Sequence, residues 1–219
     1  MTTTMNISDL KAATEVGLSP AAVRFGLEDV QYFQMEDFFA TTGHDPVLDW
    51  LIVRFVNITG ARPAGVLNLD RAGLNKLEST VWLDDTGGRF VVQPVPDWFV
   101  DELFAFAKSR GSVRGMDKVF VKRSARGGFT PISSRQLSDM FARLRKRFEW
   151  ADRQQVTAQT VRRYAIERMV NRFGIGVATT FAHIKPTYPV ARPESVADAL
   201  VELFGGDHPW LHRTPSPPH

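Results

Sequence analysis

The chain has 219 residues, 43% hydrophobic and 11% aromatic, enough for one core of generous size without covalent staples. It has no cysteine, which excludes a disulfide framework, a thiolate metal site and a cysteine nucleophile. The formal charge of +3 hides a division: residues 1–107 carry −8, residues 108–172 carry +12 and residues 173–219 carry −1.

A strongly basic stretch inside a foldable chain is the footprint of a polyanion, most often a nucleic acid. No apolar run approaches the roughly 20 residues of a membrane helix. The opening MTTTMNISDLKAATEVG lacks the basic head and apolar stretch of a signal peptide. A soluble, cytoplasmic protein with no membrane partner is expected.

Residues 1–28 are weakly patterned and read as an N-terminal segment or linker remnant. From Val30 the pattern turns helical, with Val30, Phe33, Phe38 and Phe39 expected on the buried side. Pro46–Ile58 comes next as a helix striped by Leu48, Leu51, Ile52 and Phe55, and Gly60 stands where a left-handed cap belongs. Ala61–Leu69 reads as a short helix. Ser79–Leu83 and Phe90–Val95 read as strands joined by the turn residues Asp85-Thr86-Gly87-Gly88.

Pro96 opens a helix over Asp97–Ala107. A glycine- and arginine-rich loop comes after it, interrupted by Val119–Val121. Ser133 or Ser134 caps a helix running to about Trp150. Another starts at Thr157 or Thr160 and carries Val161, Ala165, Met169 and Phe173 at spacing four, until Gly174 stops it. The last has Val196, Ala199, Leu200 and Leu203 on one face and ends at Gly205-Gly206. Residues 207–219 read as a flexible tail. The fold class is mainly α with a small β-hairpin, and residues 29–206 form the domain.

Three segments give this order a meaning. They are Thr59-Gly60-Ala61-Arg62-Pro63-Ala64-Gly65-Val66-Leu67, Phe129-Thr130-Pro131-Ile132-Ser133-Ser134 and Thr157-Ala158-Gln159-Thr160-Val161-Arg162-Arg163-Tyr164-Ala165. In this order and spacing the chain resembles the catalytic domain of the tyrosine recombinases, the phage-integrase family. The resemblance implies cleavage and rejoining of double-stranded DNA through a phosphotyrosine, without metal or other cofactor. It also implies self-association on DNA, as tetramers in the family.

Such chemistry gathers negative charge on the non-bridging oxygens of a phosphate. Guanidinium forks clamp that charge better than an ammonium does. Arg62 and Arg162 match the family's two arginines, and each lies near a helix start, where main-chain N–H groups also favour an anion. His183 matches the residue that hydrogen-bonds the scissile phosphate, with Ala182 where the family usually has glycine. Tyr188 matches the nucleophile, five residues after His183 where the family usually has nine. A different alignment, through Val177-Ala178-Thr179-Thr180, puts His183 at the tyrosine position and makes the protein inert.

Other positions depart from the family. The hairpin lysine that protonates the leaving oxygen is missing from Leu83–Arg89; Arg89 is a poor proton donor, and Lys76 precedes the first strand. Gly65 replaces an acidic residue. Gln159 replaces a histidine and can hydrogen-bond a phosphate oxygen but cannot shuttle a proton. Arg143, Arg145, Lys146 and Arg147 suit DNA phosphates on a helix flank, and Arg163 and Arg89 join them. His208 and His212, with Asp207, have helical metal spacing within the tail. The reading is a DNA-binding, integrase-type protein. Its rivals are a catalytically degenerate homologue that binds DNA or a recombinase partner, and a helical interaction protein unrelated to DNA.

Overall fold

The computed structural model describes residues 26–85, 89–124, 126–183 and 191–212. Its elements run in the order α1 (Asp29–Thr41), α2 (Pro46–Thr59), α3 (Pro63–Asn68), β1 (Leu74–Asn75), β2 (Thr80–Asp85), β3 (Arg89–Pro94) and α4 (Asp97–Ser109). Then come β4 (Val121–Arg123), β5 (Phe129–Pro131), α5 (Ser134–Arg147), α6 (Glu149–Arg153), α7 (Ala158–Phe173), α8 (Ile175–Phe181) and α9 (Pro193–Phe204). The fold is mainly helical, as the pattern implied, with two small antiparallel sheets where one hairpin was expected.

The centre is α2. Asp45 accepts from the Leu48 N–H at its start, Pro46 occupies the first turn, and Gly60 ends it at φ 62. Leu48, Leu51, Ile52, Val53, Phe55, Val56 and Ile58 are all buried. A helix apolar on nearly every side belongs inside, and α2 packs against α1 and α7. Each large side chain so buried contributes about 1.5–3 kcal/mol. Phe55 meets Phe120 edge-on at 5.1 Å, and Phe39 meets Phe141 at 5.6 Å.

Helix α1 differs from expectation. Its buried residues are Tyr32, Met35 and Phe39, whereas Val30 and Phe33 are 57% and 64% exposed. The stripe is offset because Tyr32 stacks on Tyr164 at 4.7 Å, which sets the rotation of the helix.

The order β1-β2-β3 forms one antiparallel sheet, with Trp82 opposite Val92 and Leu83 opposite Val91. Val81 and Leu83 face inward, toward α3, while Trp82, Phe90 and Val92 face solvent. A second two-stranded sheet, β4-β5, occupies the stretch expected as loop, and Val121 pairs with Pro131. The helix expected to reach Trp150 breaks at Phe148, whose φ of −124 and ψ of 121 are extended, giving α5 and α6. No described helix is long and apolar enough to cross a membrane.

The loose tail expected from residue 207 does not hold for Asp207–His212. His208 is fully buried and Pro209–His212 form a 3-10 turn. Residues 213–219 lie outside the described residues.

Candidate active site

The junction of α2, α7 and α8 is built around one guanidinium. Arg162 is the fifth residue of α7, and α7 begins with a capping box in which the Thr157 N–H donates to Thr160 Oγ1 at 3.1 Å. Arg162 is only 6% exposed. Its Nε donates to the Gly60 carbonyl at 2.8 Å, and one Nη donates to the Ala182 carbonyl at 2.9 Å. Arginine keeps its charge when buried, and carbonyl oxygens orient that charge without cancelling it.

Both carbonyls belong to turns that carry candidate site residues. Gly60 lies two residues before Arg62, and Ala182 lies one residue before His183. A single buried cation therefore draws together three segments separated by about 100 and 20 residues in the chain. Gly60 is required twice over. Its φ is left-handed, and a Cβ there would lie 2.8 Å from the ring of buried Phe181. The Thr59 hydroxyl finishes the turn by accepting from the Ala61 N–H at 3.2 Å.

Arg62 is the N-cap residue of α3 and is half-buried, with its carbonyl accepting from Val66 N–H. Helix α3 packs on β2, and Asn68 Nδ2 donates to Asp84 Oδ2 at 2.7 Å, so Arg62 stands beside the hairpin. Gln159 is exposed in the first turn of α7, one turn ahead of Arg162.

His183 is half-buried at φ 52, and its main-chain N–H donates to the Thr180 carbonyl at 3.1 Å. The Thr180 hydroxyl in turn donates to the Ala191 carbonyl at 2.9 Å. The chain thus leaves the described residues at His183 and re-enters at Ala191 with both points bonded to one threonine. Tyr188 lies outside the described residues, as does the Arg89 side chain.

The basic run divides. Arg143 forms an ion pair with Asp49, a carboxylate that burial pushes above its usual range and the arginine pulls back. Arg145 donates to the Val156 carbonyl at 2.8 Å and closes the α5–α7 connection. These two hold the fold. Lys146 and Arg147 are exposed, the latter lying over the Phe148 ring. Arg163 is half-buried beside Glu167, whose carboxyl is pushed up to about 7 by burial and pulled back by Arg163.

Exposed cations that the sequence reading missed sit on the second hairpin and the start of α5. They are Arg123, Arg126 and Arg135. Only Arg123 lies in a strand, and its three residues are too few to separate from loop by sequence. Lys76 is engaged by α4. Its Nζ pairs with Asp101 at 2.6 Å and lies over the Phe104 ring.

No family model and no curated protein sequence matches the chain. Solved structures do. The XerH site-specific recombinase bound to difH substrate is 13% identical with a TM-score of 0.57, over 74% of this chain and 47% of that one. The Tn1549 transposon integrase in complex with circular intermediate DNA is 14% identical with a TM-score of 0.56, over 80% of this chain and 64% of that one.

The lambda integrase catalytic core is 15% identical with a TM-score of 0.51, over 71% of this chain and 93% of that one. The chain spans about half the length of the XerH protein but matches almost all of the isolated lambda core. It therefore has the fold of a tyrosine-recombinase catalytic domain.

Proposed function

We propose that the protein binds double-stranded DNA and cleaves and rejoins a strand through a phosphotyrosine at Tyr188. The observation that carries this reading is the buried Arg162, which joins the Gly60–Arg62 turn to the Ala182–His183 turn through two carbonyls. Arg62 and Arg162 clamp the non-bridging oxygens, and their charge offsets the negative charge that builds as the tyrosine oxygen attacks phosphorus. His183 and Gln159 add hydrogen bonds to the same phosphate.

The bond formed is tyrosine oxygen to phosphorus. The bond broken is phosphorus to the 5′-oxygen, which leaves as a hydroxyl after taking a proton. Rejoining reverses the exchange, so no net energy source is needed. Residues 184–190, which include Tyr188, lie in sequence between two described points, His183 and Ala191, both bonded to Thr180. Lys146, Arg147, Arg123, Arg126 and Arg135 supply phosphate contacts along the duplex. Arg143 and Arg145, spent on Asp49 and Val156, are left out of that surface. Solved complexes of the similar proteins, XerH and the Tn1549 integrase, hold DNA.

The test is trapping. A pool of nicked DNA duplexes should yield a covalent protein–DNA complex that resists denaturant, and Tyr188→Phe should abolish it. A wild-type protein that binds the pool without any adduct overturns the cleavage reading.

A second reading is favoured by Lys76. Its pairing with Asp101 engages the lysine that precedes the hairpin, and the hairpin sequence Thr80–Pro94 contains no lysine to protonate the leaving oxygen. On that reading the chain is a DNA-binding module of recombinase fold that has lost the reaction. It predicts salt-dependent DNA retention that Tyr188→Phe leaves unchanged.

A further inference from the structure

The segment after α9 does something the proposed reaction leaves unexplained. Helix α9 ends at Gly205 and Gly206, both with positive φ, and the chain then folds back across two distant elements. The Gly205 carbonyl accepts from Trp98 Nε1 at 3.1 Å. The Asp207 carbonyl accepts from the Asp97 N–H at 3.1 Å, and the Asp207 N–H donates to Asp97 Oδ1 at 3.1 Å. A Cβ on Gly206 would lie 2.5 Å from Trp98, so the backbone approaches as closely as glycine permits. Trp210 Nε1 donates to Glu78 Oε2 at 3.1 Å.

His208 sits at the centre with no exposed surface. Its Nε2 lies 2.9 Å from the Ser79 carbonyl, and its Nδ1 lies 3.2 Å from the Trp210 N–H. A carbonyl only accepts, so Nε2 carries the hydrogen. A main-chain N–H only donates, so Nδ1 offers its lone pair. The partners therefore select the neutral imidazole protonated on Nε2. Ser79 is itself unusual, buried at φ 48, and its carbonyl also accepts from the Val95 N–H that closes the base of the β2–β3 hairpin. One carbonyl thus serves both the hairpin and the C-terminal segment.

We infer that Asp207–His212 is a clasp, keyed by His208 as a positioning residue, that fixes α9 against the base of the hairpin. Helix α9 begins at Pro193, just beyond Ala191, the point where the 184–190 interval is tied to Thr180. Holding the far end of α9 limits the rotation of this helix about α8, and so sets where that interval re-enters the fold. The consequence for DNA cleavage rests on the function proposed above. The clasp itself does not.

The experiment uses the full chain and two variants. His208→Phe keeps a planar ring and removes both nitrogens. His208→Gln keeps an amide N–H that can reach Ser79. Nitrogen-15 NMR of wild type at pH 7.5 should show a neutral His208 ring protonated on Nε2; the other tautomer or an imidazolium overturns the assignment. Hydrogen exchange should show at least a tenfold loss of protection in α9 and at residues 78–95 in His208→Phe. Protection in α2 should be unchanged, and His208→Gln should recover part of the loss. Unchanged protection in α9, or an equal loss in every helix, overturns the clasp.

On trapping DNA, His208→Phe should slow adduct formation at least tenfold at unchanged DNA affinity. An unchanged rate overturns the positioning role. Wild type forming no adduct removes the cleavage reading alone, since exchange and NMR still decide the clasp.

Discussion

Two arginines of the basic middle stretch meet opposite partners. Arg162, at the start of α7, is bonded by two main-chain carbonyls. Arg143, at the end of α5, is bonded by the carboxylate of Asp49. The first sits at the junction of three segments. The second is neutralised and ties α5 to α2. Net charge by segment treats them alike, and only the structure separates a guanidinium that joins the turns of the candidate site from one that ties α5 to α2.

Variants test that contrast, and the largest effect belongs to Arg162. Arg162→Ala strands the Gly60 and Ala182 carbonyls and should lower unfolding free energy by about 3 kcal/mol, read by urea denaturation. It should also abolish DNA adducts. Arg162→Lys restores the charge without the fork and should recover stability only in part. Gly60→Ala attacks the same junction from the other side. A left-handed alanine pressed against Phe181 should cost about 2 kcal/mol by the same measure.

Arg143→Ala should cost about 1–2 kcal/mol at pH 7, because the buried Asp49 loses its counter-charge. That loss should shrink on acidification. Asp49 already titrates above its usual range because of burial, so protonation removes the uncompensated charge as pH falls. An Arg143→Ala deficit that is constant with pH would show that the ion pair is not what Arg143 contributes.

Glu167 gives a smaller effect of defined sign. Its carboxyl is raised from 4.5 to about 7 by burial. Stability from its protonated form is therefore complete below about 4.5 and is lost as pH rises through about 7. Glu167→Gln should remove that slope and gain about 1 kcal/mol at pH 8, measured by thermal melts across the pH range.

The smallest stability effects fall on the exposed cations. Lys146→Gln and Arg147→Gln should each change stability by less than about 0.5 kcal/mol. Each should also reduce the slope of log DNA affinity against log salt by about 1. Arg145→Gln should do the reverse, destabilising the fold through Val156 with little change in the salt slope.

Much of the scaffold was legible because its signals are local. The stripe of α2, the Gly60 stop, the pairing of β2 with β3 and the spacing-four face of α7 are each set by neighbouring residues. What failed depended on distant partners. The rotation of α1 is fixed by Tyr32 stacking on Tyr164, and Val30 and Phe33 therefore point outward. The strands β4 and β5 have three residues each and gain identity only by pairing.

The candidate site shows the same limit. Arg62, Arg162 and His183 could be picked out by residue type and order. Their link runs through the carbonyls of Gly60 and Ala182, groups that every residue carries and that no sequence pattern marks. The burial of His208 was equally hidden, because nothing in the chain around Ser79 or Trp210 marks either as its partner.

Tethering both His183 and Ala191 to Thr180 uncouples the length of the intervening stretch from the rest of the molecule. Four more residues there would cost about 0.4 kcal/mol of closure entropy and leave both anchor points where they are. Insertion and deletion at this position can therefore change the length of the interval while its two anchor points stay bonded to one threonine. The five-residue step from His183 to Tyr188 is then one of several lengths that the two anchor points permit.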